Sequence, residues 1–317
     1  MIEKIADTIK KERDFIVATH VQPDGDAIGA LLALGFLLKG LGKNVTLAAG
    51  DHSEIPAQYR WLPGQDLIKS GAPAASKVLI ALDVANASRL GASESLLAKC
   101  PITINIDHHP DNPGFADLNW VEPGLSSASE MVFDLWSRFD LPLTIDAATC
   151  IYVGMLTDTG RWQYSNASSR ALRIAAELVD LGVVPVEIFN RIYENYSPQW
   201  FKLLAVGLEK AVFDTELGLA YTIINQLDQA KTGASLAESE NLVEWLRSVT
   251  GITVSMVLKE MTRGDIKVSL RSRDPIDVGA VARRFGGGGH KNASGFISRE
   301  APETIIKNIK QCLTVSS

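Results

Sequence analysis

The sequence predicts an α/β protein, with a doubly wound, mainly parallel sheet in an N-terminal domain and a smaller α/β domain at the C-terminus. In the first half of the 317 residues, short β-rich runs alternate with helical patterns, an order typical of parallel strands joined by helices. These runs are almost continuously apolar, as expected for strands that are covered on both faces. Beyond about residue 211 the pattern changes, and strand signals follow one another more often.

Four strands and four helices are predicted in the N-terminal half. Ligands of a doubly wound sheet bind at the carboxyl ends of its strands, so the loops after the strands are the place to look for a site. The predicted strands are Phe15–Thr19, Val45–Ala48, Val78–Leu82 and Ile102–Ile106, and the predicted helices are Ala27–Gly42, Ser127–Phe139, Asp146–Leu156 and Ser168–Leu181.

Residues 1–189 form the first predicted domain, 190–208 a connecting helix or linker, and 209–317 the second domain. Tyr196-Ser197-Pro198 punctuates the connecting segment. In the second domain the predicted strands are Val212–Asn225, Ile252–Glu260 and Ile266–Arg271, and the predicted helices are Asp277–Phe285 and Glu303–Thr314.

Composition excludes several classes of protein. The chain is 46% apolar and 21% charged, which is the balance of a globular protein rather than of a disordered or collagen-like one. Its longest apolar stretch, Ala27–Leu38, has 12 residues, fewer than the ~20 that a membrane-spanning helix needs. The N-terminal residues predict no signal peptide, and Cys100, Cys150 and Cys312 are scattered as in a reduced protein. We therefore expect a cytoplasmic location and no membrane partner.

Net charge argues against binding to long duplex DNA. The chain carries 31 Lys and Arg against 37 Asp and Glu, a formal charge of −6. A protein that wraps duplex DNA usually has a basic surplus, because its affinity depends on neutralising many phosphates. One local basic pocket is still enough for a small phosphorylated ligand.

Four short segments place acids or histidines at the end of an apolar run. By itself, an Asp such as Asp24 or Asp26 at the start of a helix is usually an N-cap, and a His-His-Pro sequence can be an exposed turn. However, His20, His108, His109 and His290 all lie in such loops, and only His52 does not. The first three loops converge at one edge of the sheet. The segments are Thr19–Asp26 with His20, Asp24 and Asp26; Leu82–Asn86 with Asp83; Ile106–Pro110 with Asp107, His108 and His109; and Leu156–Trp162 with Asp158.

A cluster of these side chains predicts bound divalent cations. Carboxylates gathered within a few ångströms repel one another and raise their own pKa values, unless cations compensate them. Asp and His ligands without thiolates favour Mn²⁺, Mg²⁺, Fe²⁺ or Co²⁺. Six ligands suit two ions about 3.5–4 Å apart with one bridging carboxylate, and such a pair activates water for attack at phosphorus.

The four segments resemble, in order and spacing, the motifs of the DHH phosphoesterase superfamily. These motifs are His20-x-x-Pro23-Asp24-Gly25-Asp26, Asp83, Asp107-His108-His109 and Asp158. The C-terminal Gly286–Gly295 resembles the substrate-binding domain associated with that superfamily, so the resemblance spans almost the whole chain. Length and C-terminal segment are most similar to the NrnA-like subgroup. The resemblance implies a two-metal phosphoesterase, with Mn²⁺ as the expected metal and Mg²⁺ or Co²⁺ as alternatives.

The resemblance also assigns roles to residues. His20, Asp24 and Asp83 would hold the first ion. Asp26, Asp83, His108 and Asp158 would hold the second, so that Asp83 bridges the two. His109 would contact the scissile phosphate or protonate the leaving oxygen, and Asp107 would orient an imidazole from outside the ligand set.

The glycine run and its neighbours predict a pocket for a terminal phosphate. Successive glycines allow backbone N–H groups to approach an anion closely, although Gly286 could simply end a helix. Arg271 and Arg273 supply guanidinium groups that match a phosphate. Arg161 could add a cation, and Trp162 with Tyr164 could stack on a base or belong to the core. The predicted pocket residues are Arg271, Arg273, Gly287, Gly288, Gly289, His290, Ser294 and Arg161.

The expected function is hydrolysis of short oligoribonucleotides from one end (a nanoRNA exonuclease) and of 3′-phosphoadenosine 5′-phosphate to AMP. Alternatives are a phosphodiesterase for linear dinucleotides such as pApA, a family II pyrophosphatase, a RecJ-like exonuclease and a catalytically silent nucleotide sensor. The expected partners are short RNAs and phosphorylated nucleosides. Dimers are common in the resembling family, so a homodimer is possible, but the sequence contains no diagnostic interface pattern and leaves the oligomeric state open.

Overall fold

The computed structural model of the chain describes residues 1–49, 55–69, 73–236, 239, 241–262 and 264–315. It divides into two compact units, Met1–Asn195 and Tyr196–Ser317. The expected linker, residues 190–208, holds the end of one helix in the first unit and most of another in the second. His52 lies outside the described residues.

A five-stranded, fully parallel sheet forms the centre of the first unit. Its strand order is β2-β1-β3-β4-β5, and the order changes direction at β1, between β1 and β3. The four predicted strands are confirmed to within a residue at either end. The fifth was missed, because it is a short, half-buried edge strand without a continuous apolar run. The strands are β1 Asp14–Thr19, β2 Asn44–Ala49, β3 Val78–Leu82, β4 Ile102–Asp107 and β5 Leu118–Val121.

Helices accompany this sheet. Ser127, Thr144 and Ser168 each accept a hydrogen bond from a backbone N–H in the first turn of the helix that follows, so their hydroxyl groups fix where those helices begin. The helix Ile2–Lys11 was not predicted. The helices of the unit are α1 Ile2–Lys11, α2 Gly25–Gly40, α3 Ala128–Trp136, α4 Ile145–Asp158, α5 Ser169–Asp180 and α6 Pro185–Tyr193.

Helix α2 is apolar on all sides and almost completely buried, which is typical of a helix enclosed in the core. It packs against α4 at backbone contact distance, because glycines replace side chains where the helices meet. A Cβ at Gly29 would collide with the backbone carbonyl of Cys150 on α4. A Cβ at Gly154 would overlap the Ser129 hydroxyl and lie 2.6 Å from Asp26 Oδ1. This contact fixes the first turn of α2 beside the last turn of α4.

The second unit is built on a six-stranded mixed sheet with the order β10-β11-β9-β8-β7-β6. The strand predicted over Val212–Asn225 is wrong as one element, because a turn with Gly218 in the left-handed region (φ +61°) folds it into the hairpin β6–β7. Strands β7 and β8 are parallel and the other pairs antiparallel. The elements are α7 Pro198–Glu209, β6 Val212–Asp214, β7 Leu219–Ile224, α8 Gln226–Thr232, α9 Leu242–Arg247, β8 Val254–Glu260, β9 Ile266–Ser272, α10 Val278–Arg284, β10 Gly288–Gly289, β11 Ala293–Ser298 and α11 Pro302–Val315.

The predicted fold class is confirmed, with a mainly parallel α/β sheet first and a second α/β sheet after it. Within the described part of the chain, every helix is too short or too polar to cross a bilayer.

Substitution of Gly154 by Ala should destabilise the first unit, since the new methyl group would overlap Ser129 and press on Asp26. Overpacking of this kind costs about 1–3 kcal/mol, and each kcal/mol lowers Tm by about 2–4 °C in a domain of this size. Thermal unfolding of Gly154→Ala measures the effect. Gly124→Ala is the matched control, because its Cβ would meet only the Glu122 carboxylate at 3.7 Å. Equal Tm values for the two variants would contradict the close α2–α4 contact.

Candidate active site

The predicted site residues of the first unit meet at the carboxyl edge of the parallel sheet. His20 follows β1, Asp83 follows β3, and Asp107 is the last residue of β4. β1 and β3 are neighbours on the two sides of the point where the strand order reverses, and in open α/β sheets this position forms the ligand-binding crevice. Asp83 has a left-handed backbone (φ +58°), a conformation that Asp adopts more readily than most residues.

Two helix ends complete the group. Asp24 is the N-cap of α2 and accepts hydrogen bonds from the backbone N–H groups of Asp26 and Ala27 at 3.1 and 3.0 Å. Asp26 lies in the first turn of α2. Asp158 is the last residue of α4, so it belongs to the helix rather than to the loop after it. The N-cap interpretation of Asp24 is therefore correct, and the same carboxylate also faces His20.

Six side chains form two groups that share Asp83. In the first group, His20 Nε2 lies 4.0 Å from Asp24 Oδ1 and 3.6 Å from Asp83 Oδ2. In the second, His108 Nε2 lies 3.9 Å from Asp26 Oδ2 and 3.6 Å from each of Asp83 Oδ1 and Asp158 Oδ2. Two of the residue sets able to hold an ion are thus His20, Asp24 and Asp83, and Asp26, Asp83 and His108.

These distances fit ligands of a shared cation better than hydrogen bonds. Two ligands at about 2.1 Å from one cation stand about 3 Å apart at a right angle and about 4 Å apart when opposite. Asp83 Oδ1 is buried and accepts no hydrogen bond within the described chain. A buried carboxylate oxygen in this state is costly unless a positive charge compensates it. The donor set, oxygen and imidazole without sulfur, suits Mn²⁺ or Mg²⁺.

Two of the carboxyl groups carry the electrostatic cost of this crowding. Burial, reinforced by the charges of Asp83 and Asp158, raises the pKa of Asp26 well above its usual range. Burial and the charges of Asp24 and Asp83 raise the pKa of Asp158 in the same way. Both shifts show that like charges are being held together, which a divalent cation would relieve.

The neighbouring imidazoles lower the pKa of Asp83, whereas burial and crowding raise the pKa values of Asp26 and Asp158. Burial opposes ionisation of Asp83, but His20 and His109 outweigh it and hold the pKa of Asp83 below its usual range. Burial likewise opposes protonation of His20, while the neighbouring carboxylates of Asp83 and Asp24 raise its pKa. Asp83 thus ionises more readily than Asp26 and Asp158, as expected of a carboxylate that could bridge two cations.

His109 is held by a buried acid. Its Nδ1 lies 2.8 Å from Asp107 Oδ1, and Asp107 is completely buried. Asn112 Nδ2 donates to the other oxygen of Asp107 at 2.6 Å. Burial lowers the pKa of His109, but the hydrogen bond to Asp107 and the neighbouring carboxylates outweigh it and raise the pKa to about 10. The imidazole therefore carries a proton at neutral pH.

Arg89 was missed by the sequence analysis, although it lies only six residues after Asp83. One of its guanidinium nitrogens is 2.8 Å from His20 Nδ1, which also lies 2.8 Å from the carbonyl oxygen of Val21. An imidazole that binds a cation through Nε2 carries its proton on Nδ1 and donates it to Val21, and Nδ1 then has no lone pair to accept a hydrogen bond from Arg89. No periodicity marks Arg89 or Asn112, since both act through loops that only the folded chain brings to the site.

The residues after Asp158 pack within the first unit. Arg161 and Trp162 both have left-handed backbones (φ +62° and +65°). The Arg161 guanidinium lies over the Tyr193 ring at 5.2 Å, and Trp162 packs edge-to-face on Tyr152 at 5.9 Å. Trp162 also lies against the hydrophobic core, so its core interpretation is favoured over a stacking platform for a base.

In the second unit, one of the two predicted arginines, Arg271, is held by an acid that the sequence analysis did not identify. Glu244 on α9 accepts from Arg271 Nε at 2.6 Å and from Arg247 Nε at 3.1 Å. Arg273 donates to the backbone oxygen of Arg247 at 3.0 Å. Glu244 thus aligns two of these guanidinium groups, and the only signal in the sequence was the i, i+3 spacing of Glu244 and Arg247.

The glycine run has several structural roles. Gly286 is left-handed (φ +76°) just after α10, and Gly286 and Gly287 donate their N–H groups to Arg283 and Ala282. Gly288 and Gly289 pair with β11. At the end of this hairpin His290 N–H donates to Ala293, while the Ser294 hydroxyl donates to the Val278 carbonyl at 2.7 Å. The N–H groups of Gly286 and Gly287 are therefore already used, and phosphate binding by the rest of the segment stays a prediction.

Two family models match the chain. The DHH family, N-terminal domain, matches residues 14–155, and the DHHA1 domain matches residues 218–314. A curated relative from Thermus thermophilus, named bifunctional oligoribonuclease and PAP phosphatase NrnA, is 34% identical, and the match covers 98% of this chain and 94% of that protein.

Solved structures agree with this assignment. An exopolyphosphatase-related protein from Bacteroides fragilis has a TM-score of 0.89 and 28% identity, over 99% of this chain and 95% of that one. An exonuclease RecJ bound to manganese shares the fold, with a TM-score of 0.55 and 15% identity over 99% of this chain and 94% of that one. The motifs, the two matched domains and the full-length relative together show that the chain belongs to the DHH family of phosphoesterases, with a C-terminal DHHA1 domain.

Proposed function

We propose that this chain is a two-cation phosphoesterase that removes nucleotides from the end of short oligoribonucleotides and converts 3′-phosphoadenosine 5′-phosphate to AMP. The observation that carries the proposal is the shared position of Asp83. Its two carboxylate oxygens lie 3.6 Å from His20 Nε2 and 3.6 Å from His108 Nε2, the spacing expected of two ligands on one cation. The relative named oligoribonuclease and PAP phosphatase supports the substrate class, since it matches almost the whole chain.

His20, Asp24 and Asp83 would hold one ion, and Asp26, Asp83, His108 and Asp158 the other. Mn²⁺ is the preferred metal, supported by the absence of sulfur ligands from the cluster and by the manganese-bound protein of the same fold. When bound, such a pair activates the attacking water and neutralises negative charge that develops at phosphorus. The chain contributes a rigid, water-poor frame, because five of the six ligand side chains are at most 9% exposed.

His109 is the proposed general acid. Its Nδ1 is engaged with Asp107, so a proton given to the leaving oxygen would come from Nε2. Asp107 and the neighbouring carboxylates raise the pKa of His109, which favours the protonated form that a general acid requires. Asp107 fixes the ring orientation and stabilises its positive charge.

The second unit is proposed to bind the phosphate at the other end of the substrate. Arg271, aligned by Glu244, supplies a planar donor group suited to phosphate oxygens. His290, Ser294, Arg273 and the glycines Gly287–Gly289 remain proposed neighbours of that phosphate. The chain's net charge of −6 agrees with a small phosphorylated substrate, because binding of a long polyanion usually requires a basic surplus.

The cytoplasm remains the proposed compartment. The three cysteines of the chain all lie in its described part, and no disulfide joins any of them, as is usual in a reducing environment. A homodimer, common in the resembling family, is a proposal that the size of the protein in solution would test.

Comparison of substrates tests the proposed function. With Mn²⁺ present, 3′-phosphoadenosine 5′-phosphate and RNA dinucleotides to pentamers should be hydrolysed, with release of phosphate or of nucleoside monophosphate. Chelation with EDTA should abolish turnover, and added Mn²⁺ should restore it. Hydrolysis of pyrophosphate alone would contradict the nucleotide substrate. Nucleotide binding without turnover under Mn²⁺ would instead identify a sensor.

Asp83→Ala should abolish turnover of every substrate, because both proposed ion sites use this carboxylate. We expect kcat/KM to fall by more than about 100-fold, because loss of only an outer partner of a metal site already costs about 10- to 100-fold. Asp117→Ala is a control in the same unit, since Asp117 only ties β5 to Thr103 on β4. Substantial activity of Asp83→Ala would exclude the bridging role.

Arg271→Ala should weaken substrate capture, with a raised KM and little change in kcat. Hydrogen bonds to charged groups contribute about 1.5–3 kcal/mol, which corresponds to about a 10- to 100-fold rise in KM. Arg299→Ala is the control, because the Arg299 side chain is 92% exposed in the same unit. A collapse of kcat with unchanged KM would show that Arg271 does not act by holding the ground-state substrate.

A further inference from the structure

The two ion positions of the proposed centre are supported by different parts of the first unit. The second ion position includes Asp26 and Asp158, and the start of α3 contacts Asp26. Both oxygens of Asp26 accept hydrogen bonds there, from the backbone N–H of Ala128 at 2.6 Å and of Ser129 at 2.9 Å. The partial positive charge of the helix N-terminus favours the ionised carboxylate. Asp26 is thus fixed from behind by a rigid element.

Asp158 has a comparable support in Asn166. The Nδ2 atom of Asn166 lies 3.1 Å from the backbone oxygen of Asp158 and 3.4 Å from its carboxylate Oδ2. That same oxygen is 3.6 Å from His108 Nε2. Nδ2 also donates to the backbone oxygen of Ser126 at 2.9 Å. One amide nitrogen thus joins the end of α4 to the segment that precedes α3.

The orientation of the Asn166 amide follows from its surroundings. All three atoms near Nδ2 are acceptors, so exchanging the amide nitrogen and oxygen would place an oxygen against three oxygens. In the observed orientation, Asn166 Oδ1 is buried and accepts no hydrogen bond from any residue that the structure describes. The side chain therefore forgoes a hydrogen bond at its acceptor end in order to make those at its donor end.

The anchor at Ser126 is itself held firmly. Ser126 N–H donates to Glu130 Oε2 at 2.7 Å, and Glu130 is 1% exposed. The Arg170 guanidinium, in the first turn of α5, bridges Glu130 and Asp134. Asn166 and Arg170 are the two ends of one short segment. Asn166 is bonded to Ser126, just before α3, and Arg170 to Glu130 and Asp134 on α3, so both ends of the segment are fixed. This arrangement limits how far Asp158 can move.

We infer that Asn166 is a positioning residue for the second ion site, and that it acts by holding the Asp158 carboxylate through its amide N–H group. The inference rests on the proposed two-cation centre. Within the described residues, Asn166 makes no hydrogen bond or ion pair with His20 or Asp24. Loss of Asn166 should therefore affect one ion and not the other.

Binding of Mn²⁺ to the full chain, measured by isothermal titration calorimetry and counted by equilibrium dialysis, tests this inference. The wild-type chain should bind two ions. Asn166→Ala should retain one of unchanged affinity and bind the other about 10- to 100-fold more weakly, the effect expected of an outer partner of a metal ligand. Asp158→Asn identifies which ion is affected, because it should weaken binding of the same ion.

Asn166→Asp separates positioning from simple space filling. It keeps the size of the side chain and its Oδ1 atom but replaces the donor with an oxygen, so it should weaken the same ion at least as much as Asn166→Ala. Gln163→Ala, which removes an exposed amide from the same turn, should leave both affinities unchanged. Turnover of Asn166→Ala should recover as Mn²⁺ is raised, with no matching recovery for Asp83→Ala.

The outcomes are distinguishable. Two ions bound with wild-type affinity by Asn166→Ala or by Asn166→Asp would overturn the inference and leave the proposed function intact. Equal weakening of both ions would also overturn it, because a general structural role would then explain the effect. Fewer than two ions bound by the wild-type chain would refute the two-cation centre itself, and the role of Asn166 with it.

Discussion

Mutual repulsion among buried carboxylates is the constraint on which the first unit depends. Asp26, Asp83 and Asp158 are gathered around His108 at the carboxyl edge of the sheet, where burial strengthens every unscreened charge. The pKa values of Asp26 and Asp158 are raised, while that of Asp83 is lowered by the imidazoles around it. Holding such groups together destabilises the folded unit, and bound divalent cations would offset that destabilisation.

The rest of the unit keeps this cluster in place. Glycines at positions 29 and 154 bring α2 and α4 into backbone contact, which sets the start of one helix beside the end of the other. The first turn of α3 then holds Asp26, and Asn166 reaches Asp158. Each support is a backbone contact or a hydrogen bond of fixed direction, so the ligand positions depend on helix packing rather than on mobile side chains.

The second unit poses the complementary problem of holding positive charges. Glu244 lies between Arg271 and Arg247 and accepts from both, which reduces their repulsion and orients their planar groups. Glycines at positions 287 and 289 allow close approach to β11, since a Cβ there would collide with backbone oxygens. The glycine run is thus explained in part by sheet packing, and its role toward a phosphate is a separate property that binding measurements decide.

The sequence by itself determined the fold class, the four main strands of the first sheet and the residue types at their ends, because apolar runs and turn residues are local signals. It also indicated that the acids and histidines after the strands would gather, since strand ends of a parallel sheet share an edge, and the family resemblance supplied the six proposed ligands. It did not determine the edge strand β5, the hairpin within Val212–Asn225, or the partners Arg89, Asn112, Asn166 and Glu244. Arg89 and Glu244 meet partners 69 and 27 residues away in the chain, whereas Asn112 and Asn166 reach acids five and eight residues away across irregular loops. Only tertiary packing decided them, because hydrogen-bond distance and direction are set by where helices and loops meet, and local periodicity carries no record of that.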